Sequence, residues 1–349
     1  MTTLGSVKNI LVINLGGIGD CLLSTPALNN LKGAYPAAHI TLFVLSRSQE
    51  ILEGTSFADE IISIGSLKDW FDVYRILAAL RNKKIDIAIN MRTLASFWGA
   101  MKMAAMLFII NPRVKAGRDT DGLGFFLDVK LPETHIGTKH DMDYCIELVK
   151  LVGASETVKR PEVNLTVADN ARVDTLLRDH GLSDNDIIIG ISSGAPYPAK
   201  RWPLENFVKV ASTLAGYNYK VVIMGDGSEA GSERAFIGLD RPGVISLIGK
   251  MRIKEMAALI KRCAVHITND IGPMHIAATL GTPVVAIFGP GHLTRFDPRR
   301  ISDNAIVLHK ETACAPCERE ECASRKCLTA ITPEEVIAAV LELLKRRGR

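Results

Sequence analysis

The sequence predicts an α/β protein with two Rossmann-like domains, each built on a parallel β-sheet flanked by helices. Three observations support this fold class. Short apolar runs alternate with helical segments, which is typical of a parallel sheet. The chain has 349 residues, enough for two or three domains. The composition becomes more polar near Leu165, where we place the boundary between a first domain at 1–165 and a second at 166–332.

The first domain begins with a buried-type strand at 9–15, followed by glycines and a helix at 22–35. Its other predicted elements are strands at 40–45, 61–64 and 85–90 and helices at 70–81, 94–110 and 138–152. Asp20 lies where the first strand gives way to the first helix. A carboxylate at this place either caps the helix or acts as a general base at the carboxyl edge of the sheet. The glycine spacing GGxG differs from the dinucleotide fingerprint.

The second domain contains a loop suited to binding phosphate. The loop follows a strand at 187–191 and precedes a helix begun by Pro203. It carries Ser192 and Ser193 and the adjacent cations Lys200 and Arg201. Hydroxyls, backbone amides and a lysine before a helix N-terminus favour an anionic group.

A further strand, loop, helix and strand run from 264 to 288 in the same domain. Asp270 follows the first of these strands, and Gly272 stands at the start of the helix. Open α/β sheets bind their ligands at this edge, so the stretch suits a phosphate or a sugar hydroxyl. The alternative is that Asp270 only caps the helix. Glu229, after the strand at 220–224, can accept hydrogen bonds from ribose hydroxyls.

The charge of the chain is small but uneven. The net charge of +4 gives no indication of nucleic-acid binding. Between Arg75 and Arg118, however, nine lysines and arginines face a single acid, Asp86, which favours an anionic surface or a phosphorylated partner. The apolar helix at 94–110 is core by its spacing, and its basic flanks leave a lipid-contact role open. No secretory leader or membrane span is predicted, so we expect a cytoplasmic or peripheral protein.

Four of the seven cysteines form a C-x2-C-x4-C-x4-C segment near the end of the chain. They are Cys314, Cys317, Cys322 and Cys327. In a cytoplasmic chain such a segment indicates thiols or a metal cluster more than disulfides. A structural zinc ion and ordinary free thiols are both compatible with the spacing.

Three motifs in order along the chain resemble glycosyltransferase family 9, the lipopolysaccharide heptosyltransferases. They are ILVINLGGIGD at 10–20 with STPAL at 24–28, PAKRWP at 198–203, and NDIGPMH at 269–275 with GTP at 281–283. The resemblance implies the GT-B fold, in which two Rossmann-like domains face an interdomain cleft. It also implies that the terminal helix at 333–349 packs back on the first domain.

The resemblance further implies an inverting, metal-independent transfer of heptose from ADP-heptose to the lipopolysaccharide inner core. Asp20 would be the catalytic base, and Lys200 would hold the donor phosphates and offset the charge on the leaving ADP. The implied donor-binding set is Ser192, Ser193, Lys200, Glu229, Asp270, Gly272 and His275, and the implied acceptor-binding set is Gly17, Gly19, Arg92 and Arg118. No cofactor is required. The implied partners are a nucleotide sugar, a lipopolysaccharide core or lipid A acceptor and the cytoplasmic surface of the inner membrane, but no nucleic acid.

Two departures from the family pattern bear on the donor. Ile271 stands where a small hydroxyl residue is usual, and Pro196 where serine or threonine is common in the phosphate loop. A different nucleotide sugar is therefore one alternative. Others are a GT-B nucleotide-sugar epimerase or hydrolase, and a non-catalytic member whose cysteines serve metal-dependent assembly.

Overall fold

The computed structural model describes residues 6–229, 234–236 and 243–347. The chain forms two compact units, Met1–Asn164 and Leu165–Arg349. The division falls where the composition of the sequence changes. We describe each unit by itself.

The first unit contains a six-stranded parallel sheet in the order β3-β2-β1-β4-β5-β6. The strands are β1 (Asn9–Asn14), β2 (His39–Leu45), β3 (Glu60–Ile64), β4 (Ile87–Asn90), β5 (Val114–Thr120) and β6 (Val129–Glu133). The chain moves outward from β1 to one edge and then returns to β4 beside β1. The carboxyl ends of β1 and β4 therefore form the topological switch point, where α/β sheets bind ligands.

Helices cover both faces of this sheet. They are α1 (Ile18–Ala34), α2 (Ser46–Leu52), α3 (Trp70–Asn82), α4 (Phe97–Ile110) and α5 (Asp141–Leu151). Buried residues of α3 and α4 share one core with β1 and β4. Helix α1 begins a turn earlier than predicted and contains Pro26. The Leu22 carbonyl, which a proline at 26 cannot bond, accepts a hydrogen bond from the Thr25 hydroxyl at 2.8 Å.

Helix α4 is only half buried, although its spacing predicted a core helix. Met103, Met106 and Leu107 lie in the core. Phe97, Trp98 and Phe108, on the other side, are exposed to solvent. Across the described residues 6–229, 234–236 and 243–347, every helix is too short or too polar to cross a membrane.

The second unit repeats the strand order of the first. Its six parallel strands follow the order β12-β11-β10-β7-β8-β9, so β7 and β10 stand where β1 and β4 stand in the first unit. The strands are β7 (Ile188–Ser192), β8 (Lys220–Ile223), β9 (Val244–Ser246), β10 (Val265–Asn269), β11 (Val284–Phe288) and β12 (Ala305–His309). This unit has its own switch point between the carboxyl ends of β7 and β10.

Helices of the described part of this unit are α6 (Val167–Asp179), α7 (Leu204–Gly216), α8 (Ile253–Arg262), α9 (Gly272–Leu280), α10 (Leu293–Phe296), α11 (Lys326–Thr329) and α12 (Pro333–Arg347). Trp202 anchors the core, stacking edge to face on Phe207 at 4.9 Å. Its indole N–H donates to the Ile331 carbonyl at 3.0 Å. The core thereby ties the start of α7 to the segment before α12.

Helix α12 packs in the core of the second unit, and its predicted contact with the first domain stays a prediction. Val336, Val340 and Leu343 lie in the second unit's core, and the helix contacts α7 and strands β10 to β12. This contact buries the apolar stripe of the helix. The predicted capping box is confirmed, since Thr332 and Glu335 exchange hydrogen bonds of 2.9 and 3.3 Å.

Candidate active site

The switch point of the first unit carries an ion pair between Asp20 and Arg92. Asp20 is the third residue of α1, and Arg92 follows β4 by two positions. Arg92 Nη1 lies 2.6 Å from Asp20 Oδ2, and the Gly17 N–H donates to the same oxygen at 2.8 Å. Within the described part of the chain, Asp20 Oδ1 accepts no hydrogen bond. Asp20 thus caps its helix with one oxygen and leaves the other available.

Gly16 makes this pair sterically possible. A Cβ at Gly16 would lie 2.4 Å from Arg92 Nη1 and 2.5 Å from the Cβ of Asp20. A Cβ at Gly17 would meet only the Asp20 carboxylate, at 3.6 Å. Gly17 is the N-cap of α1, and Gly19 lies in its first turn. The structure therefore places both predicted acceptor-site glycines beside Asp20.

Arg118 is not available to an acceptor, and its predicted binding role is wrong. Its side chain is 1 % exposed. The guanidinium lies 3.3 Å from Asp141 and 3.7 Å from Glu133, and it donates to the Thr93 hydroxyl at 2.9 Å. Strand β5 turns Arg118 inward because two carboxylates inside the unit balance its charge. Arg118 therefore supports the segment next to Arg92.

The switch point of the second unit carries a second ion pair. Lys200 ends a 3₁₀ turn after β7, and Asp270 follows β10. Lys200 Nζ lies 2.6 Å from Asp270 Oδ2. Ile271 is the N-cap of α9 and no side chain caps that helix, so the interpretation of Asp270 as a helix cap is wrong. Asp270 is 5 % exposed and directs its carboxylate to Lys200.

Asn269, which belongs to the NDIGPMH motif but was not predicted as a site residue, connects the two loops of this site. Its side-chain oxygen accepts from the Trp202 N–H at 3.1 Å. Its amide nitrogen donates to the carbonyls of Ser193 and Gly194 at 2.9 and 3.0 Å. Every polar atom of this buried amide is thus used to fix the loop after β7 against the end of β10.

Polar groups beside this pair have the character of an anion site. The hydroxyls of Ser192 and Ser193 are buried and find no hydrogen-bond partner among the described residues. Gly272 is the first residue of α9, so its N–H lies at a helix N-terminus that no side chain caps. Buried hydroxyls without partners are unfavourable unless a ligand satisfies them.

Two residues of the short helix α10 after β11, Arg295 and Phe296, were not predicted from the sequence. The Phe296 ring stacks edge to face on His275 at 6.0 Å and lies 5.9 Å from Lys200 Nζ. Arg295 lies over the same ring at 4.7 Å, is 6 % exposed and lies 3.2 Å from Glu318. The only sequence indication was the break at Gly289-Pro290, which ends β11 at the same edge of the sheet.

Glu229 closes the 3₁₀ turn Gly227–Glu229 after β8. Its side chain lies outside the described residues, so its predicted ribose contact stays a prediction.

The four cysteines of the cysteine-rich segment differ in their surroundings. All four cysteines are free. In the described part of the chain, which includes all four, no group of three or more His, Cys, Asp or Glu side chains could hold a metal ion. Cys327 is buried in the second unit's core, whereas Cys314 is exposed. Burial raises the pKa of Cys327, and the Arg325 N–H, at 3.3 Å, helps to lower the pKa of Cys322.

Solved structures share this architecture over nearly the whole chain. A glycosyl transferase family 9 protein from Veillonella parvula DSM 2008 has a TM-score of 0.82 at 27 % identity, covering 97 % of this chain and 98 % of its own. The ADP-heptose lipopolysaccharide heptosyltransferase II of E. coli has a TM-score of 0.77 at 22 % identity, covering 98 % and 100 %. Two Rossmann-like units, each with a ligand-type switch point, identify the GT-B fold.

Sequence comparison identifies the family. The profile of glycosyltransferase family 9 (heptosyltransferase) matches residues 73–328. The lipooligosaccharide heptosyltransferase 2 of Campylobacter jejuni is 36 % identical over 337 residues, covering 94 % of this chain and 96 % of its own. The lipopolysaccharide heptosyltransferase 2 of Salmonella typhimurium is 26 % identical over 367 residues, covering 97 % and 99 %. The chain belongs to glycosyltransferase family 9, the heptosyltransferases.

Proposed function

We propose that this enzyme transfers a heptose from ADP-heptose to the inner core of lipopolysaccharide, with inversion at the anomeric carbon and without a divalent metal. The names of the family and of its relatives support the sugar and the acceptor. The observation that carries the chemistry is the Asp20 carboxylate, held through one oxygen with the other oxygen available.

In the first unit, Asp20 acts as the general base. Arg92 and the Gly17 N–H both contact Oδ2, so the carboxylate is fixed in orientation without losing Oδ1. Oδ1 accepts the proton of the acceptor hydroxyl as that oxygen bonds to the anomeric carbon. A positioned base of this kind contributes about 10²–10⁴ in rate. Gly17 and Gly19 keep the approach to Asp20 free of side chains.

In the second unit, the donor diphosphate binds at the loop after β7. Lys200, the two unpartnered hydroxyls of Ser192 and Ser193, and the Gly272 N–H provide the positive charge and hydrogen bonds. Asp270 orients Lys200 and accepts from sugar hydroxyls with its second oxygen, and His275 packs behind it on Phe296.

The transfer is a single displacement. The acceptor oxygen forms a bond to the anomeric carbon while the bond from that carbon to the β-phosphate oxygen breaks. The electron pair leaves with ADP, whose new charge is stabilised by Lys200 and the amide at the start of α9. Attack opposite the leaving group inverts the anomeric configuration. Fixed cations and amides fill the role that a divalent ion has in other transferases.

The decisive experiment compares the natural enzyme with Asp20→Asn, with and without acceptor, using ADP-heptose and a metal chelator. We expect acceptor-dependent transfer by the natural enzyme and loss of transfer by the variant, whose ADP affinity and thermal midpoint stay unchanged. Turnover of ADP-heptose without acceptor would instead indicate an epimerase or hydrolase. Loss of transfer on chelation would refute metal independence. Competition with other nucleotide sugars tests the effect of Ile271 and Pro196.

The proposed acceptor is lipid-linked, so the enzyme works at the cytoplasmic surface of the inner membrane as a peripheral protein. The first unit is the acceptor-binding unit and the second is the donor-binding unit. Cell fractionation, followed by washing of the membranes with salt, tests the association.

A further inference from the structure

Helices α3 and α4 expose an unusual number of aromatic side chains. We name as the α3–α4 face the six residues Trp70, Phe71, Tyr74, Phe97, Trp98 and Phe108. Trp70, Trp98 and Phe108 are 77, 74 and 80 % exposed. Large aromatic rings bury much apolar area when they find a partner, and contiguous exposed patches of them mark interaction surfaces.

The exposed rings are not misplaced core residues. The opposite sides of both helices already pack in the first unit's core through residues such as Leu77, Leu80 and Leu107. Helix α4 is well formed, since the Ser96 hydroxyl accepts from the Gly99 N–H at 3.1 Å. A groove of about 490 Å³ beside Phe108 continues the apolar surface. A helix that is apolar on both sides needs a second apolar environment.

Topology places four of these rings at a single edge of the sheet. Helices α3 and α4 both connect parallel strands and cover one face of the sheet, so both begin at the carboxyl edge. Trp70 and Phe71 start α3, and Phe97 and Trp98 start α4. The same edge carries Asp20.

The charges around the face are complementary to an anionic surface. Lys102 is the only charged residue of α4 and is exposed. Among the described residues, Lys102 forms no ion pair, and neither do Lys84 and Arg113, which follow the C-terminal ends of α3 and α4 at the end of the face that carries Phe108. The acid of α3 nearest the face, Asp72, is neutralised by Arg75 at 3.3 Å. A symmetric contact with a second copy would instead bring these like charges together.

We propose that the α3–α4 face is the membrane-binding surface of this enzyme. Its aromatic rings enter the interfacial layer of an anionic phospholipid bilayer, and Lys102 with its basic neighbours contacts the headgroups. Tryptophan and tyrosine favour this layer because one end of the ring system is apolar and the other is polar. The inference specifies the membrane association proposed above, but vesicle binding needs neither donor nor acceptor and is measured independently of transfer.

Vesicle sedimentation tests the surface directly. The full chain is mixed with vesicles of phosphatidylethanolamine and phosphatidylglycerol, or of phosphatidylcholine alone. We expect binding to the anionic vesicles only. The double variant Phe97→Ser with Trp98→Ser weakens it by about tenfold or more, and Lys102→Glu by at least about fivefold. Matched controls are Leu151→Ser, at an exposed apolar residue on α5, and Lys261→Glu on α8 of the second unit.

Tryptophan fluorescence supplies a second readout. The chain has three tryptophans, Trp70, Trp98 and Trp202, and only Trp202 is buried, at 1 % exposure. Brominated phospholipids quench a tryptophan that enters the bilayer. We expect strong quenching in the natural protein, partial quenching after Trp70→Phe or Trp98→Phe, and none when both are replaced.

Three outcomes would overturn the proposal. The first is vesicle binding that the face variants and the control variants weaken equally. The second is an absence of quenching when the protein sediments with vesicles. The third is no binding to either vesicle type together with a dimer that Trp98→Ser dissociates, which would make the face a contact between copies. Loss of vesicle binding with normal transfer to a soluble acceptor in the face variants would support it.

Discussion

The two units have the same strand order, but the carboxylate and the cation at their switch points exchange places. In each unit, the two central strands are followed by a carboxylate and a cation whose charged atoms lie 2.6 Å apart. In the first unit the carboxylate, Asp20, follows the first strand and the cation, Arg92, follows the fourth. In the second unit Lys200 follows the first strand and Asp270 the fourth.

In the proposed mechanism this reversal determines which charge acts on the reacting groups. Asp20 and Lys200 follow the first strands and act on the acceptor hydroxyl and the donor phosphates, whereas Arg92 orients Asp20 and Asp270 orients Lys200. The first unit thereby presents a carboxylate suited to taking a proton. The second presents an ammonium group suited to a phosphate. The shared fold sets the place, and the order of the two charges sets the chemistry.

Replacing the two cations gives the largest expected effect on this comparison. Lys200→Ala lowers kcat/KM by about 10²–10³, because a preorganised charge at the leaving group is lost. Its affinity for ADP falls as well. Arg92→Ala lowers kcat by about tenfold and leaves ADP affinity unchanged, since a fixed orientation of Asp20 is all that it loses. Steady-state kinetics and ADP titration calorimetry measure both. Equal loss of ADP binding in the two variants would contradict the division of roles.

The glycines beside the two pairs sharpen the comparison at a smaller scale. Gly16→Ala places a methyl group 2.5 Å from the Cβ of Asp20, so we expect a loss of about 1–3 kcal/mol in the free energy of unfolding. Gly17→Ala is the matched control and changes that free energy by no more than about 0.5 kcal/mol. In the second unit, the added methyl group of Gly291→Ala lies 2.5 Å from Asp270 Oδ2 and 3.4 Å from Lys200 Nζ. Both contacts are with side-chain ends and not with backbone or a Cβ, so we expect a cost between the other two. Chemical denaturation ranks them, and an equal cost at Gly16 and Gly17 would count against the steric argument.

Acid is expected to weaken the second unit first. His266 of β10 is fully buried, and burial lowers its pKa from 6.5 to about 3. The folded state therefore holds the neutral ring while the unfolded chain takes up a proton below pH 6.5. The stabilisation is complete above that pH, and about 1.4 kcal/mol is lost for each pH unit from 6.5 down towards 3. Thermal midpoints at pH 7 and pH 5 measure the loss.

His266→Leu should flatten this pH dependence. His135→Gln, at a ring that is 82 % exposed, serves as the control and should leave it unchanged. If the thermal midpoint of His266→Leu falls between pH 7 and pH 5 as much as that of the natural protein, other groups control the loss of stability in acid.

The smallest effect concerns the thiols. Burial, followed by the nearby charge of Asp20, raises the pKa of Cys21 to about 12, and burial raises that of Cys263 to about 12. Cys322, which is half-buried, has a lowered pKa because the Arg325 N–H donates to its sulfur. Alkylation mapped by mass spectrometry should label Cys322 well before the two buried thiols in the folded protein. If Cys322 is protected from alkylation and a chelator removes that protection, the cysteine-rich segment binds a metal ion.

Much of this structure was predictable because it is local. Helix α3 begins at the predicted residue, Trp70, and β1 and β8 also start where the sequence placed them. Apolar periodicity and turn residues carry this information within a few neighbours. Loops at strand ends also predicted Asp20, Lys200 and Asp270 as site residues, and the structure brings the last two together.

What could not be predicted depends on contacts between distant parts of the chain. The sequence suggested that Arg118 is a surface cation. Its two ion-pair partners, Glu133 on β6 and Asp141 on α5, are distant from it in the sequence and bury it. The pairing of Arg92 with Asp20 joins residues 72 positions apart in the sequence. The packing of α12 on the second unit's core likewise depends on residues far away in the sequence. Spacing alone could not show that α4 leaves half its surface exposed.

The three hydrogen bonds of the Asn269 side chain have a thermodynamic consequence. Because they hold the loop after β7 to β10 before any nucleotide arrives, binding does not have to order that loop. The conformational entropy was lost during folding, so nucleotide association should show little of the unfavourable entropy that accompanies loop closure. The loop of the proposed donor site is in that sense ordered before it is occupied, so we expect its affinity to reflect contacts rather than rearrangement.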